Sequence, residues 1–279
     1  MLEQALKQRL FTAAVLIPLF VWLVLGGATA LVAVVLALVV LLGAKEWAAL
    51  FNWQGRDRTA FIVLTAVLLA LTYDQARSGV EAVWLWVIAV GGWCVASAWL
   101  WRHREQAIEG HAPDWLGRVP PVLLGVWTLV PSYSALISLH SQGDWGPGMM
   151  LFCLTLMWVA DTAAYFVGRR FGERKLAPAI SPGKSIEGAM GAAAATMVWA
   201  IGGYVLLDPP VASAFGFVLL CLVAVGFSIF GDLFESQMKR LSHVKDSGHL
   251  LPGHGGVLDR IDSTTAGAPV FALGLWLLG

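Results

Sequence analysis

The chain has 279 residues, of which 58% are hydrophobic and 13% are charged, with a mean hydropathy of +0.73 and a formal net charge of zero. A soluble domain carries about twice that share of charged residues, so the composition excludes a soluble globular protein and a disordered chain. A nucleic-acid-binding protein is not expected either, because the chain has no overall basic charge. The composition therefore predicts an all-α, polytopic integral membrane protein.

Hydropathy predicts nine transmembrane helices, since one span needs about 20 apolar residues. They run approximately over 10–26, 28–44, 60–76, 81–101, 120–140, 148–168, 187–207, 211–230 and 258–279. When successive loops are assigned to alternate sides, every lysine and arginine except Arg77 falls on the same side. Such an asymmetry marks the cytoplasmic side of a membrane protein. We therefore expect a cytoplasmic N-terminus and a C-terminus outside.

The sequence contains no fixed-period repeat and no separate soluble domain, so residues 1–279 are predicted to form one membrane-embedded domain. Residues 1–147 supply the N-terminal transmembrane helices in this prediction. Residues 148–279 form the catalytic portion, with cytoplasmic loops at 169–187 and 231–262. The loops on the other side are short, so any chemistry is expected on the cytoplasmic face.

The polar segment 231–262 has an internal order that a simple loop would not need. If the eighth span continues as a helix, Asp232, Ser236 and Lys239 lie at i, i+4 and i+7 on one face. A carboxylate, a hydroxyl and an ammonium that face one way suit a metal ion and an anion. A solvated helix end with ordinary charge pairs is the alternative interpretation.

The glycine-rich run from Pro252 to Gly256 cannot form a stable helix, and glycine permits both positive φ and close approach to a ligand. Its backbone N–H groups could form an anion-binding nest, although a flexible turn fits as well. Asp259 and Asp262 then share one helical face where the last span enters the bilayer. Ionisable groups at that depth are costly and usually functional.

A second polar patch begins inside the sixth span, where Asp161 is expected to face a polar cavity or a cation. Further on, Gly183-Lys184-Ser185 is similar to a phosphate-binding loop, but Pro178 stands where the first glycine of that loop should be. Ser185 is predicted to cap the seventh helix, and Lys184 is predicted to meet phosphate just before the positive end of that helix.

Segment 236–262 fills every fixed position of one long pattern, S-x-x-K-R-x4-K-D-x5-P-x-H-G-G-x-x-D-R-x-D. This pattern resembles the signature of the phosphatidate cytidylyltransferases, the CDP-diacylglycerol synthases. Residues 181–188 resemble a second motif of that family, S-P-K-K-T-x-E-G, with Gly183 in place of a lysine and Ser185 in place of a threonine. Residues 161–168 resemble its D-x-x-A-Y-x-x-G stretch, and the resemblance as a whole covers roughly residues 150–279.

The resemblance implies transfer of CMP from CTP to phosphatidic acid, which gives CDP-diacylglycerol and pyrophosphate in phospholipid biosynthesis. It also implies a Mg²⁺-dependent nucleotidyltransferase of the cytoplasmic (inner) membrane, with its active site facing the cytoplasm and no nucleic-acid partner. The residue chemistry agrees, because a phosphate monoester is already an anionic nucleophile at neutral pH and the obstacle is charge repulsion. Homodimer formation and a second, monovalent cation are left open.

The expected site combines the resemblance with the residue types. The aspartates expected to bind Mg²⁺ are Asp232 and Asp259, with Asp246 and Asp262 as second choices. The expected catalytic residues, mostly phosphate-binding cations, are Lys239, Arg240, Lys245, Asp246, His254, Arg260 and Asp262. The groups expected to bind the nucleotide are Ser181, Lys184, Ser185, Ser236, Gly255 and Gly256.

Three other interpretations stay open. A secondary transporter could use the buried Asp161 in an ion path, but polar residues crowd one face and the two halves lack a matched pair of broken helices. A non-catalytic lipid scaffold would explain the spans but not the concentration of aspartates and glycines. An enzyme that transfers a different activated head group to a lipid would share the same metal chemistry.

Overall fold

The computed structural model describes residues 17–78, 82–105, 119–248, 250 and 255–279. Within these ranges the chain forms nine helices, a turn of 3-10 helix at Gly143–Trp145 and one pair of short strands. The helices are α1 (Ile17–Gly26), α2 (Thr29–Leu50), α3 (Gly55–Ser78), α4 (Val83–His103), α5 (Pro121–His140), α6 (Gly146–Phe171), α7 (Ile186–Leu207), α8 (Ala214–Leu241) and α9 (Leu258–Leu278). The strands are β1 (Lys175–Ala177) and β2 (Ser181–Ser185).

Eight of the described helices, α2 to α9, are long and apolar enough to cross a membrane. They match the last eight predicted spans, and the protein is an all-α, polytopic membrane protein. The first predicted span, 10–26, is described only from Ile17 onward, where α1 is a shorter apolar helix. It ends at Gly26, and α2 begins at Thr29, so the break between the first two helices lies where it was predicted.

Helices α2 and α8 continue well past the predicted ends of their spans, and both extensions carry carboxylates. Hydropathy predicts an end near residue 44 for α2, whereas the helix continues to Leu50 and contains Glu46. Likewise α8 continues past residue 230 to Leu241 and contains Asp232 and Glu235. Hydropathy marks where the bilayer core ends, and helical hydrogen bonding need not end there.

The loop predicted at 169–187 contains a β-hairpin that the sequence analysis did not predict. Strands β1 and β2 pair antiparallel, with Lys175 opposite Ser185 and Ala177 opposite Ser181. Ser185 is then the N-cap of α7, and its side chain accepts a hydrogen bond from the Gly188 N–H at 3.1 Å, as predicted. The hairpin therefore delivers Lys184 directly to the start of α7.

The centre of the bundle is formed by α5 and α9. In their apolar segments 78% and 61% of residues are buried, against 22% in both α3 and α7. Helix α9 packs against α8, α5 and α4, and α6 packs against α7. Because α9 is central, the residues at its first turn are held by several neighbouring helices.

An aromatic cluster joins α2, α4, α5 and α8. The rings of Trp93 and Trp127 lie 4.4 Å apart, and Phe234 meets both edge-on at 5.5 and 5.6 Å. Trp47 stacks on Phe234 at 6.5 Å, and its indole N–H donates to the Pro121 carbonyl at 3.0 Å. Trp47 and Phe234 directly neighbour Glu46 and Glu235 in sequence, so this cluster fixes the rotation of the helices that carry these carboxylates.

The two ends of the bundle have different polar contacts. At one end, the Ala179 N–H donates to the Arg104 carbonyl, which joins the hairpin to the end of α4. At the other end, His140 of α5 bonds to the Val24 carbonyl of α1 at 2.9 Å. A cavity of about 350 Å³ lies at this second end, and its lining includes Trp86, Trp145 and Trp276 but none of the predicted site residues.

Candidate active site

A lysine of the hairpin is paired with an aspartate of α8. Lys184 Nζ lies 2.7 Å from Asp232 Oδ2, and it also approaches the Ile229 carbonyl oxygen at 3.5 Å. The Ser236 hydroxyl donates to Asp232 Oδ1 at 3.3 Å. The Lys184 and Asp232 side chains are each about one-quarter exposed, so the pair is accessible from the polar end. Three predicted site residues from two separate sequence patches therefore meet here.

A second, more buried pair joins α8 to α9. Lys239 Nζ lies 2.7 Å from Asp259 Oδ1 and 3.3 Å from Glu235 Oε2. These three side chains are only 11%, 9% and 5% exposed, which strengthens their mutual attraction. Asp259 Oδ2 also accepts hydrogen bonds from the backbone N–H groups of Gly256 at 2.8 Å and Ser247 at 3.2 Å. Asp259 is thus held by one ammonium and two amides.

Two further carboxylates lie near the first pair. Asp161 of α6 interacts electrostatically with Asp232 and Lys184 and is close to the Ser263 hydroxyl. Asp262 accepts a hydrogen bond from the Ser263 N–H at 2.7 Å, and it interacts electrostatically with Asp232 and Glu235. The sequence predicts a cation or a polar cavity beside Asp161, and Lys184 is a cation in that place.

The donor chemistry of this end suits a hard cation. The five carboxylates of Asp161, Asp232, Glu235, Asp259 and Asp262 face two ammonium groups, those of Lys184 and Lys239. Carboxylate oxygens are the ligands that Mg²⁺ prefers. Over the described part of the chain, however, no three Asp, Glu, His or Cys side chains converge at metal-ligand spacing. The metal roles of Asp232 and Asp259 therefore stay predictions.

The glycines predicted to form a nest have different conformations. Gly255 has φ +80°, a backbone conformation that favours glycine. Gly256 does not have a positive φ; instead, a Cβ built on it would overlap Glu46 Oε2 and Ser247 Oγ. Its N–H is donated to Asp259 rather than left for a ligand. Pro252, Gly253 and His254 lie outside the described residues.

The remaining predicted residues surround the two pairs. Arg240 is exposed and its Nε donates to the Ile180 carbonyl at 3.4 Å, so it contacts the hairpin. Lys245 and Asp246 are exposed on the turn that follows α8, and Arg260 is exposed in the first turn of α9. Ser181 begins β2, while the Ser185 hydroxyl is engaged in capping α7. Their predicted roles in binding and catalysis stay predictions.

Sequence reasoning missed Glu46, which comes from the second helix. Its Oε1 accepts from the Val257 N–H at 3.0 Å, and its Oε2 accepts from the Leu258 N–H at 2.8 Å and the Ser247 hydroxyl at 3.1 Å. The residue is only 8% exposed. One feature of the sequence could have indicated Glu46: it is a carboxylate at the end of a long apolar run, and ionisable residues in or beside membrane spans are usually functional.

Comparison with known proteins decides the family. A family model described as the cytidylyltransferase family matches residues 7–278. The chain belongs to the cytidylyltransferase family. The transporter and scaffold interpretations are therefore set aside, and the protein is a nucleotidyltransferase built into the membrane.

Several similar proteins have phosphatidate cytidylyltransferase as their name. One from Pseudomonas aeruginosa is 38% identical over 279 residues, with 98% of both chains covered. One from Haemophilus influenzae is 43% identical over 162 residues, which cover 54% of this chain and 55% of that one. One from Thermotoga maritima is 42% identical over 131 residues, which cover 46% and 48%. The similarity to the first of these cytidylyltransferases extends over the N-terminal helices, including α2.

Proposed function

We propose that this cytidylyltransferase transfers CMP from CTP to phosphatidate and releases pyrophosphate, so that CDP-diacylglycerol forms in the membrane. The observation that carries the proposal is the convergence of the Lys184–Asp232 and Lys239–Asp259 pairs at one polar end of a transmembrane bundle. The long signature over residues 236–262 and the names of the relatives support the same substrates.

In the proposed reaction a phosphate oxygen of phosphatidate attacks the α-phosphorus of CTP, and the bond to the β-phosphate breaks. A phosphate monoester has a second pKa of about 6, so the nucleophile is already anionic at neutral pH and needs no general base. The barrier comes mainly from bringing an anion to a triphosphate. The residues required are therefore cations that neutralise and orient phosphates rather than a nucleophilic serine or cysteine.

Lys184 and Lys239 can orient phosphates without leaving their aspartates. An ammonium group has three donor hydrogens, so each lysine can bond its aspartate and a phosphate oxygen at the same time. Arg240 and Arg260, both exposed at this end, and Lys245 on the adjoining turn supply further positive charge. The pairing with Asp232 and Asp259 holds the two lysines in defined positions before the substrates arrive.

Mg²⁺ is the proposed cofactor, held by Asp232 and Asp259 with Asp262 and Asp246 as further ligands. Immediately around Lys184 and Lys239, the carboxylates outnumber the two ammonium groups, and this local excess supports a bound cation. When bound, the metal would neutralise the triphosphate and stabilise charge on the pyrophosphate leaving group.

The proposed location is the cytoplasmic (inner) membrane, with the polar end of the bundle facing the cytoplasm. The described basic residues other than Arg77 lie at or near this end, as the positive-inside rule requires. CTP is dissolved in the cytosol and phosphatidate lies in the bilayer. A site at the ends of spanning helices is accessible to both.

The proposed function is tested by following α-³²P-labelled CTP into chloroform-soluble lipid with purified protein in nanodiscs. We expect label to enter lipid when phosphatidate and Mg²⁺ are present, and not when diacylglycerol replaces phosphatidate or EDTA removes the metal. Lys184→Gln should lower the rate strongly, while Arg56→Gln, which removes an exposed cation from the start of α3, should not. Equal labelling with diacylglycerol, or no labelling by folded protein, would refute the proposed reaction, and a full rate in EDTA would refute the metal.

A further inference from the structure

Glu46 is a buried carboxylate whose hydrogen bonds with the described residues reach distant parts of the chain. Its partners are Ser247, Val257 and Leu258, which are 201, 211 and 212 residues away in sequence. A buried carboxylate is costly unless it is well bonded, and both oxygens of Glu46 are engaged. A buried carboxylate of this kind is therefore expected to fix the position of the residues that it bonds.

Glu46 caps the N-terminus of α9. The N-cap residue of this helix is Val257, whose side chain makes no capping hydrogen bond. The first N–H groups of a helix lack partners inside the helix, and here Glu46 accepts two of them, from Val257 and Leu258. A negative charge at this end also complements the helix dipole. The cap that the local sequence lacks is therefore supplied by α2.

The first turn of α9, which Glu46 caps, also carries the proposed metal ligand Asp259. Ser247 bonds to both carboxylates: its hydroxyl donates to Glu46 at 3.1 Å and its N–H to Asp259 at 3.2 Å. Along the chain, the N–H of Gly256 donates a hydrogen bond to Asp259, and the N–H groups of Val257 and Leu258 donate to Glu46. The two carboxylates thus share one turn, and the position of Asp259 depends on the bonds made by Glu46.

The helix that carries Glu46 cannot easily adjust. The neighbouring Trp47 is 1% exposed, donates to the Pro121 carbonyl and stacks on Phe234. The space around the carboxylate is also full, because a Cβ on Gly248 or Gly256 would overlap it. Glu46 is therefore a rigid support rather than a mobile side chain.

We infer that Glu46 of α2 is a positioning residue for the transferase reaction: it holds Ser247 and the start of α9 so that Asp259 stays against Lys239. This inference rests on the proposed function for its kinetic part only. Both oxygens of Glu46 are bonded to Ser247 and to the start of α9, so the residue acts through these contacts.

Three substitutions separate the parts of this inference. Glu46→Gln keeps the size but replaces one acceptor oxygen with an NH₂ group that faces N–H or O–H donors, so it should lower kcat by at least about tenfold. Glu46→Asp keeps both acceptors on a shorter arm and should restore part of the rate. Asp57→Asn, which alters an exposed carboxylate in the first turn of α3, is the control and should leave kcat unchanged.

The second readout is the order of the turn itself, reported by a spin label on Leu250→Cys in a chain with Cys94→Ala. Leu250 is 50% exposed and lies in sequence between Ser247 and Val257, two of the residues that Glu46 holds. We expect Glu46→Gln to increase label mobility and to lower kcat with the KM for phosphatidate changed less than about twofold, while Asp57→Asn changes neither. A cap that served stability alone would lower the melting temperature and leave kcat intact, which would overturn the inference.

The outcomes remain separable from the proposed function. If the wild-type protein makes no CDP-diacylglycerol, the proposed reaction fails, and the spin label still reports whether Glu46 orders the turn. If Glu46→Gln does not accumulate, Ser247→Ala removes only the hydroxyl bond and should still increase mobility and lower kcat a few-fold. An unchanged spectrum and an unchanged kcat in Ser247→Ala would overturn the inference in that case.

Discussion

At the scale of single residues, the two lysine–aspartate pairs give the predicted site its geometry. The sequence placed Asp232, Ser236 and Lys239 on one helix face, but they separate into two centres. Asp232 bonds to Ser236 and Lys184. Lys239 instead pairs with Glu235 and with Asp259 of α9. Side chains at i, i+4 and i+7 share a face, yet their partners are chosen by the neighbouring elements, which spacing cannot reveal.

The first prediction concerns Asp259→Asn. The amide cannot neutralise Lys239 and gives a hard cation one charge less, so we expect a loss of CTP turnover by orders of magnitude. The variant should still insert into the membrane, because Glu235 remains a partner of Lys239. Raised Mg²⁺ should restore part of the rate if metal affinity is the defect. Radiolabelled transfer measures this, with the exposed Asp144→Asn as control; a wild-type rate in Asp259→Asn would remove Asp259 from the site.

A second prediction separates Gly256 from an ordinary turn glycine. Even one methyl group there would overlap Glu46 and Ser247, so Gly256→Ala should lower activity strongly while protein remains in the membrane. Gly91→Ala on α4 is the matched control, because a Cβ there meets nothing within 4 Å. Transfer rates and membrane levels of both variants are compared. Equal rates would show that the turn adapts to the added methyl.

At the scale of elements, the capping of α7 was predictable and the hairpin before it was not. Ser185 before a helical segment is a local signal, and its side chain does accept the Gly188 N–H. The strands have only three and five residues and contain Pro182 and Gly183, which local propensity disfavours. Glu187 supports the hairpin, since its carboxylate bonds the Arg174 side chain at 2.8 Å and the Arg174 N–H at 3.1 Å. This contact joins the first turn of α7 to the residue before β1, and no periodic pattern in the sequence predicts it.

The third prediction uses two adjacent glycines of α7. A Cβ on Gly203 would overlap the ring of Phe152 on α6, which packs against Phe217 at 5.4 Å and Phe271 at 6.0 Å. Gly203→Ala should therefore lower the melting temperature in detergent. A Cβ on Gly202 meets nothing within 4 Å, so Gly202→Ala should be neutral or stabilising by about 0.5–1 kcal/mol. Melting curves that coincide for the two variants would contradict this packing of α6 on α7.

At the scale of the whole molecule, hydropathy predicted the eight long described spans and their order, but not the support that α2 gives to the site. The long signature covers residues 236–262, and Glu46 lies far outside it. Its role depends on the packing of α2 beside α5 and α9, which only the assembled bundle defines. Charge and hydropathy act on each segment separately, so they predict on which side of the membrane each loop lies.

The fourth prediction tests that alternation in the membrane. Asp144 precedes α6 at the end that holds His140, and Gly183 lies in the hairpin at the end that holds Lys239, both exposed. Single cysteines at these positions, in a chain with the exposed Cys94 replaced by alanine, should react from opposite sides. A membrane-impermeant maleimide should label Asp144→Cys in intact spheroplasts and label Gly183→Cys only after lysis, because the basic end is retained in the cytoplasm. Labelling of both before lysis would refute the arrangement of spans, and labelling of Gly183→Cys alone would invert it.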